Sequence, residues 1–205
     1  MQNYMRKYKA QAESEGKIMK SDQLPHRYIA LLRGINVGGH HKVPMAGLRK
    51  GLAKLGFTNI TTVLNSGNVI FETTEADINK LEQIITEKLE KLFGFPVPTI
   101  LTKAENILHI QNFNPFKNIK VTKNIRLYVS FLKQKPGVHL NLPWVSKDNS
   151  YRILNIKDRI VFSVLDLSFN KTPKVMETLE QTFGKEITTR NWNTISKIIN
   201  IFSPK

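Results

Sequence analysis

Apolar positions recur along this chain in two rhythms, and the changes of rhythm mark its elements. The run Tyr28–Leu32 is apolar without alternation, which suits a central strand covered on both faces. Arg33 and a glycine-rich loop, Gly34–His41, end it. Pro44 then fits the first turn of a helix, where its missing N–H costs nothing. Met45, Leu48, Leu52 and Leu55 recur at helical spacing, and Gly56 stops them. Thr58–Asn65 and Asn68–Thr73 are β-rich, and Ser66-Gly67 between them reads as a two-residue hairpin connection. Thr74 with Asp77 approximates a capping box for a helix striped by Ile78, Leu81, Ile84, Ile85, Leu89 and Leu92. Gly94 closes that helix, Pro96–Leu101 is the next strand, and Thr102–Glu105 caps a short helix to about Gln111.

The order β-α-β-β-α-β is that of a ferredoxin-like split unit. Followed through, it places the first and third strands side by side. It also brings the Gly34–Val43 loop and the Asn65–Asn68 turn to one end of the sheet. Asn112–Asn118, with Pro115, breaks the pattern and marks a boundary. Beyond it, Ile125, Leu127, Val129 and Phe131 alternate with polar positions as a half-buried strand. Residues 133–149 are poorly patterned and leave room only for a short helix. Tyr151–Ile156 and Arg159–Leu165 form a second hairpin around Lys157-Asp158. Thr172 and Pro173 open a helix, Ile187–Thr189 is a short strand, and Asn191–Phe202 a terminal helix.

The expected class is therefore α+β. Two consecutive subdomains are expected, the first ferredoxin-like over residues 28–112. The second is a related β-(α)-ββ-α-β-α sandwich over residues 119–205. Residues 1–27 are a polar leader without an apolar core segment, unlike a secretory signal, and Met19 is an alternative start.

Charge alters this ordinary picture. Lys and Arg number 31 against 16 Asp and Glu, a formal +15. Residues 1–27 hold six basic and three acidic side chains, so by difference about +12 stays on the folded body. Such a field favours nucleic acid, acidic membrane surfaces or phosphorylated ligands, although the basic residues are scattered rather than blocked. Cysteine is absent, so disulfides, thiolate catalysis and Cys-rich zinc sites are excluded. No apolar run reaches the roughly 18 residues of a membrane span. A cytoplasmic protein is expected.

The loop GINVGGHHK invites a phosphate-binding reading, with Arg33, Asn36, Lys42 and the amides of Gly38 and Gly39 as donors. Its spacing matches neither the P-loop nor the dinucleotide fingerprint. The glycines serve a purely structural turn equally well. Asn65, Ser66 and Asn68 read either as turn residues or as polar groups presented beside the loop. In TTRNWNT, Arg190, Asn191 and Asn193 are either cap and packing residues or a third part of the same surface. The five histidines share no metal-ligand spacing, and no metal or cofactor is expected. No catalytic residue stands out, and Ser66 is not in a nucleophile elbow. The strands lack the aromatic platform of an RNA-recognition sheet, so nucleic-acid binding would be electrostatic.

YIALLRGINVGGHHKVPMAGL, LGF with NSGNVIF, and TTRNWNTISK together resemble the DUF1697 family of small bacterial proteins of unknown function. The resemblance runs from about Tyr28 to Ile199. It implies two α+β subdomains, the first ferredoxin-like, and no established activity. Family members usually carry a Gly-x-x-x-Ser-Lys-like stretch before the penultimate helix. This chain has Val164-Leu-Asp-Leu-Ser-Phe-Asn-Lys171 there, without the glycine. The function expected is a binding protein for an anionic, phosphate- or nucleotide-like ligand at the glycine loop. An enzyme on a small phosphorylated substrate and an electrostatic nucleic-acid binder are the alternatives.

Overall fold

The computed structural model describes residues 24–169 and 174–202. The leader's first 23 residues and the Thr172-Pro173 helix entrance lie outside that range. Within it the fold is mixed α and β, with two antiparallel sheets and five helices.

Strand β1 (His26–Leu32) starts two residues before its apolar run and is central in the first sheet. It pairs antiparallel with β3 (Asn68–Thr73) on one side and β4 (Thr99–Lys103) on the other. β2 (Thr58–Val63) lies outside β3, giving the order β2-β3-β1-β4. The lack of alternation in β1 now has its cause, because both faces are covered. Tyr28, Ala30 and Leu32 meet α1 (Met45–Ala53) and α2 (Ile78–Phe93). Ile29 and Leu31 face α3 (Ala104–Phe113) and apolar residues of the second sheet.

Some boundaries differ from the sequence reading, for local reasons. β2 ends at Val63, which is followed by Leu64 and, four residues on, Gly67, both with left-handed φ. The hairpin connection is therefore four residues, closed by the Val63–Asn68 pair. Asp77 itself caps α2, its Oδ1 accepting from the amides of Asn79 at 2.9 Å and Lys80 at 3.2 Å. A cap of this kind is worth about 1 kcal/mol. Thr102 does not cap α3; its hydroxyl instead accepts from Asn106 Nδ2 at 3.2 Å.

The second sheet has the order β6-β7-β8-β5-β9. Its strands are β5 (Ile125–Leu132), β6 (Trp144–Val145), β7 (Tyr151–Lys157), β8 (Ile160–Asp166) and β9 (Ile187–Asn191). Residues 133–149 form no helix and contribute only β6. α4 (Val175–Phe183) covers the outer face of this sheet, with Leu179 packed against Leu132, Ile153 and Val161. α5 (Trp192–Phe202) packs with α3 into a core shared by both sheets. Ile29, Leu31 and Ile70 from the first sheet belong to it, as do Val129, Phe131 and Phe162 from the second.

Candidate functional site

The loop and the hairpin turn do converge at the C-terminal end of β1. Leu32 N donates to Gly67 O at 2.8 Å, and Asn36 Nδ2 donates to Asn65 O at 2.8 Å. Gly67 packs so closely there that a Cβ on it would lie 2.7 Å from Leu32 Cβ. The loop itself is a small finger. Val37 and His40 form an isolated bridge, with Gly38 (φ 59°) and Gly39 (φ 80°) at its tip. Both glycines have the positive φ of a tight hairpin turn, a conformation that side chains with a Cβ resist. Asn36 ties the finger's base: its Oδ1 accepts from Val43 N at 2.8 Å and its Nδ2 also donates to Val43 O at 3.1 Å. His41 stacks on Phe95, ring centres 4.5 Å apart.

Arg190 enters this junction from β9 and is buried. Its Nε donates to Asn68 Oδ1 at 2.5 Å and its Nη2 to Leu32 O at 2.6 Å. Its Nη1 donates to Thr188 Oγ1 at 2.8 Å and to Thr189 O at 2.9 Å. No carboxylate is among these acceptors, and burial pushes the guanidinium down to about 10. Asn68, equally buried, donates back to Val63 O and Ser66 Oγ, each at 3.0 Å. The polar groups of NSGN and TTRNWNT thus join the two sheets to each other. Asn191 accepts from Asn193 N at 2.9 Å at the start of α5, and Asn193 is exposed. Lys42 is exposed, with no ion pair among the described residues.

Arg33 leaves the junction on another side. It pairs with Glu180 and donates to Lys185 O, and with these contacts it lines a cleft of about 920 Å³. Helix α2 supplies one wall through Asn79, Glu82, Gln83, Thr86 and Glu87. Pro96 and Pro98 lead into β4, Thr99 and Ile100 belong to it, and Lys133, Lys185, Glu186 and Ile187 come from the second sheet's end. Lys133 Nζ pairs with Glu186 Oε1 at 2.9 Å.

Glu82 sets this cleft apart. Among the described residues, three charged side chains are buried: Glu72, Glu82 and Arg190. Glu72 is satisfied by Arg27 Nε at 2.8 Å and Asn59 Nδ2 at 2.6 Å. Glu82 Oε1 accepts from Leu101 N at 2.8 Å, while its Oε2 has no partner. Burial holds its carboxyl above the usual range of 4.5, against the pull of the Leu101 N–H and the nearby Arg159 and Lys133.

Of the residues singled out in the sequence, Arg33 alone reaches the cleft. Asn36, Gly38, Gly39, Asn65, Ser66, Asn68 and Arg190 meet in or beside the junction. Glu82, Lys133 and Lys185 escaped the sequence reading because separate segments assemble the cleft. One signal was present: Glu82 falls inside the apolar stripe of α2, four residues after Ile78 and three before Ile85. A charged residue on a buried arc is there for a reason other than solvation.

Fold and junction together define a two-sheet α and β protein knit by a buried arginine, with a cleft opening beside the knot. A protein-family model described as "Protein of unknown function (DUF1697)" matches residues 26–162, and the chain belongs to that family. A solved structure, that of the conserved bacterial protein SP0830 from Streptococcus pneumoniae, is similar at 26% identity with a TM-score of 0.62. The similarity covers 88% of this chain and 100% of that one. No curated protein matches. Among the described residues, no helix is long and apolar enough to cross a membrane and no acidic or histidine cluster could hold a metal ion.

Proposed function

We propose that this chain binds a small anionic ligand in the cleft between α2, the approach to β4 and the end of the second sheet. The observation that carries the reading is the joining of Arg33, Lys133 and Lys185 around an apolar floor of Pro96, Pro98, Ile100 and Ile187. A concave, partly apolar space with a few convergent polar groups is the ordinary form of a small-molecule site. Lys185 has no ion pair among the described residues, and the Lys133–Glu186 pair is exposed. Exposed pairs of that kind are worth about 0–1 kcal/mol, so a ligand oxyanion can displace Glu186 cheaply. The chain's formal +15 adds long-range attraction for an anion. The setting in this reading is cytoplasmic and the ligand phosphate- or nucleotide-like in charge.

The glycine finger supports a second, narrower reading. Lys42 stands exposed beside it, and α1 begins after Pro44 with no side-chain cap on its first N–H groups. Thermal shift against phosphate, sulfate and nucleotides separates the two sites. Stabilisation lost in Lys185→Ala and kept in Lys42→Ala supports the cleft; the reverse supports the finger. Stabilisation unchanged in both variants, or absent from the wild type, refutes both readings.

We also read residues 28–112 as a ferredoxin-like unit and residues 119–205 as a second subdomain. The order β2-β3-β1-β4, with α1 and α2 on one face, supports the first part of that reading.

A further inference from the structure

We propose that Glu82 is a neutral hydrogen-bond donor to the oxyanion held in the cleft, so that binding requires its proton. This inference rests on the cleft reading above and adds the chemistry of its inner end. β4 is an edge strand, and Glu82 reaches across from α2 to satisfy the Leu101 N–H of that edge with Oε1. One carboxyl oxygen completes that structural duty. The other, Oε2, lines no such bond and is closed off from water. An ionised Oε2 would be an uncompensated anion in a poorly solvated place. A protonated Oε2 is instead a donor that lacks an acceptor, and an oxyanion is the acceptor that fits.

The neighbouring charges fit the same assignment. Lys133 and Arg159 both act on Glu82, yet neither bonds to it. Lys133 Nζ is engaged by Glu186, and Arg159 Nη1 donates to Lys133 O at 2.7 Å. With Glu82 neutral, Arg33, Lys133 and Lys185 outnumber Glu87 and Glu186 in the lining. With Glu82 ionised, a third carboxylate charge joins the lining, beside the Glu180 that already pairs with Arg33, and the attraction for an anion falls. One proton therefore supplies the donor and removes one negative charge from the cleft. Because Oε2 is shielded, the ligand reaches it by parting the long side chains at the mouth, Lys133 and Gln83, which are exposed.

Sulfate is the probe, since its charge is constant across the working range. It is titrated by NMR between about pH 5 and pH 8 into wild type, Glu82→Gln and Lys185→Ala. Because binding requires that proton, the wild-type affinity falls as rising pH ionises free Glu82, by up to about tenfold per pH unit. Glu82→Gln keeps the Leu101 contact and offers an N–H donor, so it binds sulfate with a flat pH profile. The Leu101 amide, bonded to the same side chain, shifts on binding in the wild type. Identical pH profiles in wild type and Glu82→Gln, or an unmoved Leu101 amide, overturn the assignment while leaving the cleft reading intact. A sulfate affinity that rises with pH also overturns it. Absence of Lys185-dependent sulfate binding in both wild type and Glu82→Gln removes the cleft reading itself.

Discussion

Replacing Arg190 by Met removes a buried cation of similar length and leaves its partners behind. Two opposing effects decide the outcome. The guanidinium is held at about 10, well below its ordinary value, by burial. At 1.36 kcal/mol per unit, that corresponds to an electrostatic penalty of about 3 kcal/mol that Met does not carry. Against it stand four hydrogen bonds, to Asn68, Leu32, Thr188 and Thr189. Bonds from a charged donor contribute about 1.5–3 kcal/mol each, or roughly 6–12 in all. Two of the acceptors, Leu32 O and Asn68 Oδ1, belong to the other sheet and lie where water does not replace the donor. The bonds win by a difference of about 3–9 kcal/mol, and Arg190→Met falls toward its lower end because the acceptors left unpaired are neutral. Arg190→Lys keeps the charge without the fork, reaches fewer of the acceptors, and is also destabilised. Urea unfolding followed by far-UV circular dichroism and by tryptophan fluorescence measures both variants. Trp144 packs within the second sheet and Trp192 against the core shared by both sheets, so fluorescence reports on those two places and circular dichroism on the whole. Loosening the knot separates the two transitions in Arg190→Met. A variant as stable as wild type, with coincident transitions, would mean that Arg190 is a passive buried charge.

Three further outcomes follow from other contacts. Gly67→Ala places a Cβ against Leu32 at a left-handed φ of 73° and costs about 2–4 kcal/mol in urea unfolding. Asn36→Ala frees Val43 N and Asn65 O, so the Val43 amide exchanges with deuterium faster while the amides of β1 keep their protection. Glu82→Gln bears on stability as well as binding. The folded carboxyl holds its proton above the ordinary 4.5, so its stabilising contribution is complete below that value and is lost as pH rises through the folded one. Glu82→Gln should therefore gain stability relative to wild type as pH climbs from about 4 to 8, read from urea midpoints. A constant difference would refute the raised carboxyl.

Strand and helix order were legible because burial leaves a period in the sequence. Tyr28–Leu32 showed no alternation, and both faces of β1 proved covered. Turn details were less legible. Leu64 in a left-handed conformation is not written in its side chain, so a four-residue turn read as two. The junction residues were named from turn chemistry and from the strand order that brings loop and hairpin to one end of the sheet, as polar groups in a conspicuous place. What these could not say is where their hydrogen bonds go. Arg190 spends its fork on Leu32 O and Asn68, a fact of tertiary geometry across more than a hundred residues.

The step from Leu32 to Arg33 divides the two roles at this end of the molecule. Leu32 is buried, its carbonyl held by Arg190 and its amide by Gly67. Arg33, one residue on, has its amide on Pro98 O at 2.8 Å and its side chain directed to Glu180 and Lys185. Consecutive side chains of an extended segment point apart, so one position serves the knot and the next serves the cleft. The loop and turn residues singled out in the sequence thus have chiefly a structural logic. The cleft's distinctive groups lie outside them, on α2 and on segments near residues 133 and 185, and Lys185–Ile187 falls beyond the residues matched by the family model. A rigid knot beside the cleft holds Arg33 and β4 in register, and preorganisation of that kind lowers the ordering cost of binding. On the cleft reading proposed above, loosening Arg190 weakens ligand binding from a distance, whereas changes at Lys185 weaken it without destabilising the fold.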